Sequence, residues 1–165
     1  MNSLVKIADL LYGWLVKITN SLQSPLLLAI RLYWGWQFWQ SGLDHFHNMA
    51  DFVTFMSERG IPAPWLNAHF VASLEAGGGI LLALGLGSRL IAVPLVVNMA
   101  VAYITADRDK LLAIFSDHAE DFYRATPFSF LFVALLILVF GPGKISVDTL
   151  IARYRKKKQA PPAPA

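Results

Sequence analysis

Hydrophobic residues are concentrated in four long stretches of the chain, which short polar segments separate. A membrane-spanning helix needs roughly 20 mostly apolar residues, and tilting of the helix or local thinning of the bilayer tolerates somewhat fewer. The stretches come close to this length and run from about 25 to 43, 66 to 86, 90 to 106 and 122 to 140. Four such helices with short connections predict an all-α fold, a four-transmembrane-helix bundle that occupies residues 23–145.

A different pattern precedes the first stretch. Within residues 1–22 apolar side chains recur at helical spacing, while charged and polar side chains fall on the other side. The apolar set consists of Leu4, Ile7, Leu11, Trp14, Leu15, Ile18 and Leu22. This pattern predicts an amphipathic helix that lies on the membrane surface. Ser24 and Pro25 are then expected to begin the first spanning helix, since proline is tolerated in a first turn.

The connections between the stretches carry their own signals. A short interfacial helix is expected near residues 51–59, because the prolines in IPAP at 61–64 prevent it from continuing. In the last stretch, Thr126 and Pro127 could instead begin a shorter fourth helix of about 15 apolar residues. GPG at 141–143 should end that helix, and residues 146–165 form a basic tail whose APPAPA end is expected to be disordered.

Composition and charge agree with a membrane protein. The chain is 56% hydrophobic and 15% charged, and its mean hydropathy is +0.50. Basic residues concentrate near the two termini, above all in RYRKKK at 153–158, whereas the connections on the opposite side are acidic. The positive-inside rule therefore predicts a multi-pass membrane protein with both termini cytoplasmic. A basic run beside a spanning helix is typical of contact with the lipid bilayer and does not indicate nucleic acid.

Two charged residues fall inside the predicted spans, Arg31 in the first and Glu75 in the second. A charge in the bilayer core costs several kcal/mol unless it is paired or hydrated, so such residues are candidates for function. Arg31 would lie roughly 10 Å, and Glu75 roughly 18 Å, from the inner end of its helix. We expect the two side chains to pair or to share a water. Alternatively, Arg31 extends to the inner interface while Glu75 is neutral or bonded to nearby backbone.

Other polar and aromatic side chains at similar depth could complete a ligand site in the bundle core. Asn98 lies in the third stretch, and Trp34 and Gln37 lie in the first. Together with Arg31 and Glu75 they predict a polar pocket in the bundle core. Ordinary hydrogen bonding between helices is the alternative for Asn98 and Gln37, at about 1 kcal/mol each.

The histidines allow two interpretations. His45 and His47 follow the first stretch and His69 lies near the start of the second, so all three are expected at the outer face. With Asp44 they could bind copper or zinc. The simpler interpretation, which we favour, is a group of interfacial polar residues beside aromatic side chains. The chain has no cysteine, so neither a disulfide framework nor a thiol relay is possible within it.

The glycine-rich segment after Glu75 is not a phosphate-binding loop, because its glycines lie within an apolar helix and no strand precedes them. Gly79, Ala83 and Gly87 recur every four residues. Small residues at this spacing allow a neighbouring helix to approach closely. These three positions are therefore predicted to pack against another helix.

Several motifs together resemble the DoxX family of small four-helix bacterial membrane proteins. They are Arg31 with YWGWQF at 33–38 and SGL at 41–43, GIP at 60–62, and EAGGGILLALGLGSRL at 75–90. NMAVAYITADR at 98–108, PF at 127–128 and FGPG at 140–143 also resemble a subgroup encoded beside genes for small metal-binding modified peptides. The resemblance implies a partnership with membrane or periplasmic redox proteins, such as the thiosulfate:quinone oxidoreductase to which relatives are linked. It assigns no catalytic residue.

Two functions follow as hypotheses. The first is an inner-membrane accessory protein of a redox or metal-stress system that binds a quinone-like ligand beside Arg31, Glu75 and Trp34. The second is a non-catalytic scaffold or export factor for a small metal-binding peptide, with the outer acidic and histidine-bearing connections as its contact surface.

Overall fold

The computed structural model describes residues 2–159, with side chains from Val5 onward, and within that range it contains helices and no strands. The predicted all-α class is confirmed for these residues. The expected disorder of residues 160–165 concerns residues outside the described range. The elements are α1 Asn2–His47, α2 Met49–Glu58, α3 Pro64–Leu84, α4 Ser88–Thr105, α5 Arg108–Leu112, a 3-10 turn Ala113–Phe115, α6 Glu120–Arg124, α7 Thr126–Phe140 and α8 Val147–Gln159.

The N-terminal part of the chain differs from the prediction. The boundary expected between Leu22 and Pro25 was wrong, because α1 is one helix of 46 residues that contains Pro25. Proline removes one backbone hydrogen bond inside a helix, but the apolar helix-forming residues after it allow the helix to continue. The side chains of residues 5–23 are exposed. That this part of α1 lies on a membrane surface stays a prediction.

Two of the helices in the described range, α3 and α4, are long and apolar enough to cross a membrane. The last apolar helix, α7, has 15 residues and begins at Thr126 with Pro127 in its first turn, so the shorter of the two predicted alternatives is confirmed. The short helix predicted near residues 51–59 is also confirmed as α2. Gly141, with φ at +74°, follows the last residue of α7.

The close contact between α1 and α3 depends on residues with little or no side chain. A Cβ atom added at Gly79 would lie 2.5 Å from both the carbonyl oxygen of Gly35 and the backbone nitrogen of Trp39. One at Gly35 would lie 3.0 Å from the Cβ of Ala83, and one at Gly42 would overlap the backbone of Ala76. The backbones of the two helices therefore touch, and this fixes how far each helix is shifted along the other.

The predicted packing role is confirmed for Gly79 and Ala83, but it is wrong for Gly87. No atom lies within 4 Å of a Cβ added at Gly87. Gly85 and Gly87 both have positive φ, at +71° and +59°, and they form the turn between α3 and α4. Such angles are unfavourable for residues with a side chain, so glycine is required at both positions for the turn, and at Gly85 a Cβ would also overlap Arg31.

Aromatic and aliphatic side chains fill the space on the other side of this contact. Phe38 of α1, Leu82 of α3 and Leu95 of α4 are fully buried and share one core with Val133 and Ile137 of α7. Helices α4 and α7 also pack against each other along their lengths. This core holds α1, α3, α4 and α7 together and leaves polar side chains at either end.

The glycine contact generates a stability prediction. Gly79→Ala should lower the free energy of unfolding by about 1–3 kcal/mol, because its methyl group meets rigid backbone of α1. The control is Gly77→Ala, since a Cβ at this exposed position meets no atom within 4 Å. Thermal unfolding in detergent, followed by circular dichroism, compares the two variants. Equal melting temperatures would contradict the close contact between α1 and α3.

Candidate functional site

A buried carboxylate surrounded by hydrogen-bond donors is the most distinctive polar feature of the protein. Glu75 of α3 is only 3% exposed. Its Oε2 accepts a hydrogen bond of 2.8 Å from the hydroxyl of Ser41 in α1, and its Oε1 accepts one of 2.8 Å from the amide of Asn98 in α4. Three helices thus meet at one carboxyl group, and donors on two of them compensate for its removal from water.

His45 connects this carboxylate to the surface. Its Nε2 lies 3.4 Å from Oε2 of Glu75, and its side chain is 31% exposed. The imidazole ring stacks on Phe52 of α2 with the ring centres 3.8 Å apart and the planes nearly parallel. A histidine held in this way can exchange a proton with a buried acid on one side and with solvent on the other.

The polar group borders a cavity of about 320 Å³. Most of the wall is apolar and comes from α2, α3, α4 and α7, with Phe52, Phe55, Met56 and Phe130 among the lining residues. Ser41, His45, Glu75 and Asn98 form one polar part of the lining, and Asn67, Thr105, Asp107 and Thr126 add further polar side chains to it. A mostly apolar cavity of this size with a few convergent polar groups is typical of a site for a small organic ligand.

The predicted pairing of Arg31 with Glu75 was wrong. Arg31 is fully buried, but its Nη2 donates a hydrogen bond to the carbonyl oxygen of Ile145, far from the cavity. The register between α1 and α3 explains the difference. Arg31 lies against Gly85, ten residues and therefore about 15 Å along α3 from Glu75. An arginine side chain does not span that distance.

Arg31 instead belongs to a second polar group, at the opposite end of the helices. Asp148 of α8 accepts hydrogen bonds from the backbone nitrogens of Gly87 at 2.8 Å and Ser88 at 3.1 Å, and its own nitrogen donates to the carbonyl of Gly85. A carboxylate at a helix N-terminus is stabilised by the unpaired N–H groups there. The negative charge of Asp148 also stabilises the positive charge of Arg31 electrostatically. This group fixes the start of α8 against the α3–α4 turn.

Two other predicted ligand residues lie outside the cavity lining. Trp34 packs edge-on against Phe130, with ring centres 5.2 Å apart, and so belongs to the core beside the cavity. Gln37 is half-buried on α1 and is not part of the lining. Of the five residues predicted for the bundle site, the structure brings together Glu75 and Asn98 and separates Arg31, Trp34 and Gln37 from them.

The three histidines predicted as metal ligands are not brought together either. His45 faces Glu75, whereas Nδ1 of His69 lies 2.8 Å from the carbonyl oxygen of Trp65 in its own helix. His47 is exposed in the last turn of α1. Among the residues described here, no cluster of three or more histidine, aspartate or glutamate side chains has a geometry that could hold a metal ion.

Ser41 and Phe52 are site residues that the sequence reasoning missed. Ser41 lies seven residues after Trp34, two helical turns away on the same face of α1, and this spacing is a signal that could have placed it on the inner face. Phe52 carries no such signal, because its position depends on how α2 folds back on α1.

Half of the chain matches a known protein family. The DoxX family model matches residues 26–108, half of the chain. The chain belongs to the DoxX family. Glu75 and the three side chains around it, Ser41, His45 and Asn98, lie within the matched range, whereas α7 and α8 lie beyond it. The family is membrane-associated, which agrees with the two spanning-length helices of this DoxX protein.

Two relatives of this DoxX protein cover most of its length. It is 27% identical over 129 residues to a Bacillus subtilis protein named "Putative oxidoreductase CatD", an alignment that covers 78% of this chain and 89% of the relative. It is 26% identical over 138 residues to a Haemophilus influenzae protein named "Uncharacterized protein", with 80% of this chain and 87% of the relative covered. No solved structure matches the chain significantly.

The Asp148 contact of this DoxX protein can be tested by hydrogen exchange. Asp148→Ala should speed the exchange of the amides of Gly87, Ser88 and the first turn of α8, and it should destabilise the protein by about 1–2 kcal/mol, because an N-terminal cap is lost. Asp109→Ala, in the exposed first turn of α5, serves as the control. Unchanged exchange in Asp148→Ala would show that the carboxylate does not hold α8.

Proposed function

We propose that this DoxX protein is an accessory protein of a membrane redox system and binds a quinone in the cavity beside Glu75. The observation that carries the proposal is the buried Glu75 carboxylate, hydrogen-bonded to Ser41 and Asn98 and approached by His45, in the wall of an aromatic-lined cavity. The name of the Bacillus subtilis relative, which contains the word oxidoreductase, supports a redox role.

The proposed membrane placement has four spans. Residues 24–43 of α1 and all of α7 would cross the bilayer beside α3 and α4. α7 rises about 22 Å and therefore requires some local thinning of the roughly 30 Å hydrocarbon layer. Both termini would be cytoplasmic, because basic residues concentrate in α8. The cavity would then lie towards the outer face, where α1 ends at His47 and α4 at Thr105.

The chemistry of the cavity suits a quinone better than a metal or a charged substrate. The ring would contact Phe52, Phe55 and Phe130, while one carbonyl accepts a hydrogen bond from His45 or Asn98. In the reduced form the same oxygen carries a hydrogen, which the Glu75 carboxylate can accept. His45 then offers a route for that proton to solvent. Oxidation of the quinol releases two electrons and two protons. The two electrons would pass to a partner oxidoreductase, one proton would leave through Glu75 and His45, and the proton of the other hydroxyl would pass directly to solvent.

The alternative, a scaffold or export factor for a small metal-binding peptide, has less support. It would use the outer acidic and histidine-bearing connections as its contact surface. His45 instead faces a buried carboxylate, and His69 contacts its own helix. The geometry therefore favours the quinone proposal.

Binding of decylubiquinone to purified protein tests the proposal directly. His45→Ala should weaken binding by about tenfold, because a hydrogen bond in a water-poor cavity contributes about 1–2 kcal/mol. His47→Ala removes an exposed ring two residues away and should leave binding unchanged. Quenching of tryptophan fluorescence reports binding, since Trp34 packs on Phe130 of the cavity wall. Equal effects of the two changes would contradict the assignment of His45.

A second comparison addresses the role of Glu75. Glu75→Gln should weaken the binding of decylubiquinol more than that of decylubiquinone, because an ionised carboxylate accepts the quinol hydroxyl more strongly than a neutral amide does. Ala102→Phe, which fills the cavity without changing the polar group, should abolish binding of both forms. Both variants should be checked for an unchanged melting temperature. If wild-type protein binds neither form, the proposal fails.

Because the chain has no cysteine, a single introduced cysteine reports the membrane orientation without background. Asp117→Cys should react with a membrane-impermeant maleimide in intact spheroplasts, since the proposed placement puts the α5–α6 region outside. Lys157→Cys should react only after lysis. Labelling of Lys157→Cys in intact spheroplasts would contradict the proposed orientation.

A further inference from the structure

We propose that the groove formed by the starts of α4 and α8 and the 141–144 loop is a binding site for the phosphate headgroup of an anionic phospholipid. The inference uses the cytoplasmic placement of this end, which is part of the proposed function, and it does not depend on quinone binding. The groove lies at the opposite end of the helices from the Glu75 cavity.

Four basic side chains from three separate segments converge on this groove. Arg89 comes from the first turn of α4, Lys144 from the loop after α7, and Arg153 and Lys156 from α8. The groove has a volume of about 810 Å³. Two of these residues belong to the basic run at 153–158, and the fold adds Arg89 and Lys144, which are far from that run in the sequence. This concentration of positive charge complements a phosphodiester.

The walls of the groove are held by specific contacts. Nη2 of Arg89 donates to the carbonyl oxygen of Val139 at 3.1 Å, and its guanidinium group lies against Gly141. The backbone nitrogen of Lys144 donates to the hydroxyl of Ser24 in α1 at 3.2 Å. Thr149 and Ser146 bond to each other and to the carbonyl of Gly143. These contacts fix the 141–144 loop, the side chain of Arg89 and the start of α8, from which Arg153 and Lys156 follow one and two turns later.

The one acidic residue in the groove does not cancel this charge. The carboxylate of Asp148 is already engaged by the N–H groups of Gly87 and Ser88 at the start of α4. A phosphate that enters the groove would meet four cations and a carboxylate that is compensated by the helix N-terminus.

An apolar edge of the groove favours a lipid over free phosphate. Leu90 and Phe140 line the groove and are 81% and 55% exposed, and they belong to the apolar helices α4 and α7. These side chains would contact acyl chains on the membrane side, while the basic residues contact the headgroup on the aqueous side. Free phosphate would gain nothing from Leu90 and Phe140.

The test compares two variants that lose the same charge from the same helix. Arg153→Gln with Lys156→Gln removes one arginine and one lysine from the groove, and Arg155→Gln with Lys157→Gln removes the same pair from outside its lining. Binding of phosphatidylglycerol is measured by native mass spectrometry of full-length protein released from phosphatidylcholine nanodiscs with and without phosphatidylglycerol. Lys144→Gln adds a groove change that does not touch α8.

The variant Arg153→Gln with Lys156→Gln should retain phosphatidylglycerol about 30-fold more weakly than wild type, because each basic side chain near an anionic headgroup typically contributes about fivefold to binding. The variant Arg155→Gln with Lys157→Gln should retain phosphatidylglycerol nearly as well as wild type. Retention by Lys144→Gln should lie between the values of the two double variants. Equal losses in both pairs would show diffuse attraction and overturn the proposal. Displacement of the lipid by inorganic phosphate at comparable concentration would also overturn it, since a phosphate site would then suffice. These outcomes are independent of the cysteine labelling that tests membrane placement.

Discussion

The backbone contact between α1 and α3 determines where the two buried charges of the described chain, Arg31 and Glu75, lie relative to each other. Gly35, Gly42 and Gly79 leave no room between the two helices, so their relative shift cannot change without breaking the contact. With this register Ser41 lies opposite Glu75, and Arg31 lies opposite Gly85. A shift of one helical turn would separate the hydroxyl from the carboxylate and leave a buried charge without compensation.

The buried acid and the buried base are stabilised by different partners, and within the described residues Nε and Nη1 of Arg31 have no hydrogen-bond partner. Glu75 is stabilised by side chains of neighbouring helices, and Arg31 by a backbone carbonyl and the nearby charge of Asp148. Pairing them with each other would have satisfied both charges at once. Keeping them apart leaves an acid beside a cavity, where a ligand can reach it, and places the base in the contact that holds α8. One end of the helices can therefore bind a ligand, while the other end holds α8 in place.

The arrangement also explains why a chain of this size can hold a ligand site. A core of Phe38, Leu82, Leu95 and their neighbours occupies the middle of the structure, and α2 folds back over the end of α1. That fold-back places Phe52 against His45 and adds a wall to the cavity that four straight helices would lack. The short helix between the first two long helices is therefore part of the candidate site and not only a connection.

The sequence by itself determined much of the local structure of this protein. The hydrophobic pattern predicted α3, α4 and the short α2, since period and length suffice for such elements, and Thr126 with Pro127 marked the shorter α7 as an alternative. It also identified Glu75 and Asn98 as candidates, because polar groups in apolar helices are costly. It could not show that α1 continues through Pro25. Proline removes one backbone hydrogen bond, and whether the helix tolerates this loss depends on the residues around the proline. Only the tertiary structure decided which polar groups meet, because partner choice depends on the relative shift of packed helices, and contacts between single glycines set that shift.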